Sequence, residues 1–234
     1  VEGNYDLSNF EKFKSSFEND LGSLFKMSCS FYLVDILPKM AVFVSKYDHC
    51  LYDILAQQSS GKLSCNIPFI ISNHKDLEQI AKQFDIPFYY IPIYKNNKKE
   101  AEEKQLDLLK KYNVDCIVLA RYMQIVSSRI IDIYPSRIIN IHHSFLPAFP
   151  GAKPYHSAFN RGVKIIGATS HYITEELDAG PIIEQDIIRV SHGHEVKDFI
   201  SKGQDLERIV LLRALKLHCE RKIMTYNNKT IVFN

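Results

Sequence analysis

Short apolar runs at residues 40–44, 67–71, 87–91 and 115–120 alternate with helical patterns at 49–58, 77–84 and 99–112, and this alternation restricts the fold more than any other feature of the chain. Each run is too short for a typical helix and lacks a polar face, so both of its sides must be covered. Strands of that kind, joined by segments long enough to be crossover helices, predict a doubly wound α/β fold around a parallel sheet. Residues 137–141, 164–174 and 181–190 read as further strands and 195–221 as a long helix. Tyr226-Asn227-Asn228-Lys229 offers asparagines suited to positive φ, and the strand-forming stretch at 230–233 completes a terminal hairpin. Sheets of this class bind ligands beyond the carboxyl ends of their strands, where the strand order switches. The informative loops are therefore those after Val44, Ala120 and Ile141.

Ahead of this unit, Phe10, Phe13, Phe17 and Leu21 recur at intervals of three and four behind the candidate caps Ser8 and Asn9, the pattern of an amphipathic helix. A short strand is expected at 27–33, where Phe31 and Leu33 alternate, and Pro38 marks a linker at 36–39. With 46% hydrophobic residues, a chain of 234 suits one fair-sized domain, or a domain with a small appendage. No apolar run approaches the roughly 18 residues needed to span a bilayer, and Val1-Glu2-Gly3-Asn4 does not open a signal peptide. A cytoplasmic protein with no membrane partner is expected. The 29 basic and 27 acidic residues leave a net charge of +2, which gives no broad nucleic-acid footprint. The basic runs at 95–99 and Arg221-Lys222 read as solvated faces. The 5 cysteines are scattered without a CxxC pair, the pattern of buried free thiols rather than of a disulfide framework or zinc knuckle.

Chemistry-bearing side chains gather where the strand at 137–141 ends: Asn140, His142, His143 and Ser144. Alternation along an extended segment puts Asn140 and His142 on one face and His143 on the other. An amide beside an imidazole can donate hydrogen bonds to an oxygen that gains negative charge as a carbonyl carbon becomes tetrahedral. Asp178, in the loop at 174–180, supplies a carboxylate to hold and charge the imidazole or to take a proton from water. Competing readings exist for these residues. A single histidine near a strand end is more often structural, and His142, His143, His156 and His171 could instead gather a metal. No regular His or Cys spacing supports the latter, so no metal is expected. Gly180-Pro181, Pro147, Pro150 and Pro154 also fit plain turn chemistry. The loop Ser45-Lys46-Tyr47-Asp48-His49-Cys50-Leu51 contains no glycine, so it lacks the backbone cradle of a phosphate-binding loop, although Lys46 could meet an anion as a point charge. His49 and Cys50, adjacent at a helix start and pointing different ways, read as packing and capping residues rather than a catalytic dyad.

Asn140-Ile141-His142, Ser144-x-Leu146-Pro147, Gly162 through Gly167-x-Thr169-x-His171, and Asp178-x-Gly180-x-Ile182-Ile183 together resemble the folate-dependent formyltransferase family, from about Met40 to the C-terminus. The resemblance implies a Rossmann-like, mostly parallel sheet forming a catalytic domain at 39–234. Within the family, Ser45-Lys46-x-x-His49-Cys50-Leu51, Ile71-Ser72-Asn73-His74, Ala120-Arg121-Tyr122-Met123-Gln124-Ile125 and His142-His143-Ser144 are most similar to the hydrolytic, deformylase branch. Transferases of the family usually carry proline after the catalytic histidine, and the one acting on a ribonucleotide uses a glycine-containing turn for its acceptor's phosphate. The long C-terminal domain with which the tRNA-directed member grips RNA is not expected here. Residues 1–36 resemble the latter part of an ACT (ferredoxin-like) domain, which implies a segment cut short on its N-terminal side.

Carried onto this sequence, the resemblance implies that water cleaves 10-formyltetrahydrofolate to tetrahydrofolate and formate, supplying formate to purine synthesis and balancing one-carbon pools. The folate is the substrate and small-molecule partner, no cofactor is implied, and the protein is expected to be a homo-oligomer. Asn140, His142 and Asp178 are the implied catalytic residues. The pterin is expected along Tyr122, Met123, Gln124, Ile125 and Val126 and against Thr174, Glu175 and Glu176, with the formyl group near His142. His143 and Ser144 are also counted as substrate-binding residues, His143 either shaping the water site or blocking an amine acceptor, or else making a structural hydrogen bond. Two other functions stay open: formyl transfer to an amine, as in phosphoribosylglycinamide formyltransferases, and folate binding without catalysis.

Overall fold

A computed structural model describes residues 9–27, 29–33, 35–148 and 154–233. The chain divides into two compact units, Val1–Ile36 and Leu37–Asn234. In the first, α1 (Phe10–Phe17) continues through a π-helical turn (Glu18–Gly22) into α2 (Ser23–Phe25). Phe31 closes edge-on against Phe13 and Phe17, with ring centroids 5.9 and 5.5 Å apart. This contact corrects the strand expected at 27–33, which does not form among the described residues. Phe31 is held against a helix, and nothing described beside it offers a ladder. Ser8, the candidate cap, lies outside the described residues.

The second unit contains β1 (Met40–Val44), α3 (His49–Ser59), β2 (Ile70–Ser72), α4 (Glu78–Gln83), β3 (Phe88–Tyr90), α5 (Lys98–Lys111), β4 (Cys116–Ala120), α6 (Ser128–Ile131) and β5 (Ile138–His142). It continues with α7 (Pro154–Arg161), β6 (Ile165–Tyr172), β7 (Ile182–Arg189), α8 (Val196–Cys219) and a hairpin of β8 (Ile223–Tyr226) and β9 (Lys229–Val232). The seven-stranded sheet has the order β3-β2-β1-β4-β5-β6-β7. Its first five strands pair in parallel, and β6 and β7 add antiparallel. Among the described residues no helix is long and apolar enough to cross a membrane.

Alternation along β1, β4 and β5 builds two cores. Val42, Val44, Val118, Ala120, Ile139 and Ile141 pack with Leu51 and Ile54 of α3 and Val210, Leu211 and Leu215 of α8. Ala41, Phe43, Ile117, Leu119 and Ile138 pack with Ala101 and Leu109 of α5 and Ile130 of α6. Strands covered on both faces need apolar residues at every position, which is why the runs are unbroken. The run at 67–71 becomes a strand only from Ile70, because Pro68 has no N–H to give to a ladder. α6 and α7 carry no long periodic pattern: the first is a single turn, and the second opens on Pro154, a favoured first helical residue, and buries only Pro154, Tyr155 and Ala158.

One buried histidine makes this fold sensitive to acid. His218, near the end of α8, lies with Nδ1 2.7 Å from the Tyr172 hydroxyl of β6. Burial, aided by Arg221 and Arg137, pushes its pKa down to about 4. Below the ordinary value of about 6.5 the unfolded chain binds a proton that the folded chain refuses until about pH 4, so this stabilisation is complete above 6.5 and is lost as pH falls. The loss amounts to about 3 kcal/mol across that window. Urea midpoints measured between pH 7 and 4.5 should fall less steeply in His218→Gln than in the wild type; equal slopes would contradict the assignment.

Candidate active site

The carboxyl end of β5 brings Asn140 and His142 to the side of the sheet that Ile138 also faces. The loop between β6 and β7 lays Asp178 against them: its Oδ1 is 3.3 Å from His142 Nδ1 and 3.8 Å from His171 Nε2. His171 stands opposite Asn140 in the β5–β6 register. Its Nδ1 is 2.9 Å from the Tyr172 carbonyl oxygen, which can only accept, so Nδ1 carries the proton. Burial holds the His171 pKa below its ordinary value and keeps the ring neutral. Nε2 is then a bare lone pair, and Asn140 Nδ2 donates to it at 3.2 Å. His171 thereby fixes the Asn140 amide with one N–H left for another acceptor. On His142, Nδ1 is taken by Asp178, while buried Nε2 makes no hydrogen bond among the described residues. The imidazole beside it holds the Asp178 carboxyl below the usual carboxylate range.

Local backbone geometry explains how the loop delivers Asp178. Asp178 adopts a left-handed φ of 56°, and Gly180 passes so close to β6 that an added Cβ would lie 1.9 Å from the Tyr172 carbonyl oxygen. Tyr172 N–H donates to Pro181 O at 2.9 Å. The hairpin tip, where Asn227 and Asn228 both have positive φ, closes the other side: Asn228 Nδ2 donates to Ala179 O at 2.8 Å.

The segment at 122–126 is pinned at both ends. Met123 N–H donates to Ser45 Oγ at 3.0 Å, and that hydroxyl donates to Asn73 Oδ1 at 2.6 Å. Glu102 of α5 accepts from both the backbone and the hydroxyl of Ser127. The Tyr122 ring turns into the second core, edge-on to Phe43 at 5.4 Å, and its hydroxyl accepts from Gln105. Met123 and Ile125 are exposed, and Gln124 and Val126 are half-buried. In the other loop Thr174 Oγ1 donates to Glu176 O, with Glu175 and Glu176 exposed. Ser144 is buried and donates to Ala148 O at 2.6 Å, a turn contact. His143 is also buried, its ring 5.3 Å from that of His142 and 5.8 Å from Tyr155.

The structure thus gathers Asn140, His142 and Asp178, and adds His171, whose cue in the sequence was its place on the strand beside Asn140. The four imidazoles at 142, 143, 156 and 171 do not form one cluster, since His156 is exposed on α7. His49 reaches Glu207 of α8 at 2.9 Å rather than Cys50, which is buried in the first core. Glu207 escaped the sequence reading, yet a carboxylate inside the buried stripe of Gly203, Leu206, Val210 and Ala214 was a visible signal.

Residues 38–215 match the family described as formyl transferase. The chain is 56% identical over 199 residues to the formyltetrahydrofolate deformylase of Synechocystis sp., covering 85% of this chain and 70% of that protein. A crystal structure of a formyltetrahydrofolate deformylase from Pseudomonas syringae pv. tomato superimposes with a TM-score of 0.94 at 43% identity, over 98% of this chain and 76% of that one. Glycinamide ribonucleotide transformylase 1 from Symbiobacterium toebii superimposes with a TM-score of 0.80 at 27% identity, over 88% and 99%.

Proposed function

Because the chain belongs to the formyl transferase family, we propose that it is a hydrolase that removes the formyl group of 10-formyltetrahydrofolate as formate. The observation that carries this reading is the pairing of His142 Nδ1 with Asp178, which leaves Nε2 without a partner among the described residues, on the same strand face as an Asn140 amide oriented by His171. His142 in its charged form and Asn140 donate to the formyl oxygen, where negative charge develops as water adds to the carbon. The Asp178 carboxylate accepts from His142 Nδ1–H, which orients the ring, and it orients water or takes its proton. Collapse of the tetrahedral intermediate breaks the C–N10 bond, N10 leaves with the proton taken from water, and the formic acid formed ionises to formate, which retains the oxygen of water. All atoms of both products come from the folate and one water molecule, so the reaction as written calls for no cofactor.

The pterin edges lie along the backbone of 122–126 and the loop at 174–178. Tyr122 contributes backbone alone, given that its ring is in the core. Residues 39–234 form the catalytic domain, and 1–36 are part of an ACT-like segment. The cytoplasm is its compartment, a homo-oligomer its state, and the released formate supplies purine synthesis. Transfer to a phosphorylated amine is disfavoured by the glycine-free loop after β1. Turnover in H2(18)O tests the reading: one heavy oxygen should enter formate, and its absence would mean that water is not the acceptor.

A further inference from the structure

The switch point of this sheet lies between β1 and β4, because the chain winds outward to β2 and β3 and then crosses back to β4. Open α/β sheets hold ligands in the crevice at that point. Here the loops that flank it close on a side chain of the protein itself. Glu207, fully buried on α8, meets groups from three segments: it accepts from His49 Nε2 at 2.9 Å at the start of α3 and from the Tyr155 hydroxyl of α7, and it forms an ion pair with Arg121, whose Nε lies 3.4 Å away just past β4 without hydrogen-bond geometry. Arg121 sits at a left-handed φ of 59° with its guanidinium 4.7 Å above the Tyr47 ring. Burial pushes the Glu207 pKa up, but His49, Arg121 and Tyr155 together pull it below the ordinary value, so the carboxylate is ionised. A buried charge of this kind is costly, and an apolar residue of similar volume would complete the α8 stripe at no such cost.

We propose that Glu207 is a built-in ligand: its carboxylate fills an anion pocket of His49, Arg121 and Tyr155 at the switch point and denies that crevice to an anionic acceptor. The inference rests on the hydrolytic reading, which it deepens by naming what leaves water as the acceptor. The pocket adjoins the reaction site, since Tyr155 packs on His143 and His143 on His142. A divalent cation fits these groups poorly, although donor atoms of His49, Cys50 and Glu207 lie within 4.8 Å of one another. It would have to displace Arg121 from the carboxylate and ionise Cys50, whose pKa burial and Glu207 both push up.

Glu207→Ala leaves the pocket charged and open. Acetate or inorganic phosphate, compared with chloride at equal ionic strength, should bind this variant with a millimolar dissociation constant and raise its melting temperature by several degrees. The wild type and the Arg121→Met/Glu207→Ala double variant should show neither effect. If Glu207→Ala does not fold in chloride, its refolding yield in acetate against chloride gives the same readout. Phosphate should also inhibit formate release by Glu207→Ala and not by the wild type. Equal response of Glu207→Ala to all three anions, or an equal response of the wild type, would overturn the proposal. Wild-type formate release keeps the two ideas separate: its absence removes the hydrolytic reading, whereas its presence together with an anion-indifferent Glu207→Ala removes the pocket alone.

Discussion

His142→Ala should lower kcat/KM for formate release by about 10³-fold, the combined scale of a lost oxyanion donor and a lost acid–base partner. Nε2 is the ring nitrogen of His142 that Asp178 does not occupy, and the substitution removes it together with the partner of Asp178. Asn140 keeps its amide, held by His171, so a residual rate above the uncatalysed reaction is expected. Asp178→Asn keeps the shape of the loop but removes the carboxylate that holds His142 Nδ1 and handles the proton of water, and should cost about 10²-fold or more. Circular dichroism and melting of both variants should remain close to the wild type, since both side chains lie at the sheet's end rather than in either core. Turnover within tenfold of the wild type in either variant would reject the assigned roles.

Gly180→Ala should act on the same chemistry from outside the reacting set. The new Cβ would lie 1.9 Å from Tyr172 O and 3.0 Å from its carbonyl carbon, and backbone atoms cannot swing aside as a side chain does. The loop must retreat by about 1 Å, a displacement that costs on the order of 10²-fold in rate when it moves a catalytic group. Two parts of the site move together. Asp178 is two residues away, and Tyr172 O is the acceptor that fixes the His171 tautomer and, through it, Asn140. A fall in kcat larger than the rise in KM is expected, with about 1–3 kcal/mol of destabilisation from overpacking. Gly193→Ala is the control: the nearest atom to its added Cβ is Ser191 Oγ at 3.9 Å, so activity should be unchanged. An active, normally stable Gly180→Ala would show that the loop does not need this close approach.

Much of the architecture was legible because covered strands write an unambiguous pattern. β1 and β4 are apolar at every position and alternate between two cores, and the segments that form α3, α4 and α5 between them have helical spacing. The antiparallel β6 and β7 were legible as strands, but the reversal of β6 against β5 follows from the connection after His142 and that of β7 from the loop at 173–181, which a one-dimensional pattern does not encode. The strand expected at 27–33 failed because alternation at Phe31 served a helix contact instead. At the site, Asn140, His142 and Asp178 were readable from residue type and strand-end position. The roles of His171 and Glu207 were not, since each depends on a partner brought in by register or by α8 rather than by proximity in the chain. Tyr122 marks the opposite limit: its place in a promising loop said nothing of which way its ring would turn.

Formate release from 10-formyltetrahydrofolate by the purified chain, with no amine acceptor present, tests the hydrolytic assignment most directly. Formate and tetrahydrofolate should appear in equal amounts and at the same rate whether or not glycinamide ribonucleotide is added. No formate without the amine, together with formylation of glycinamide ribonucleotide when it is supplied, would contradict it.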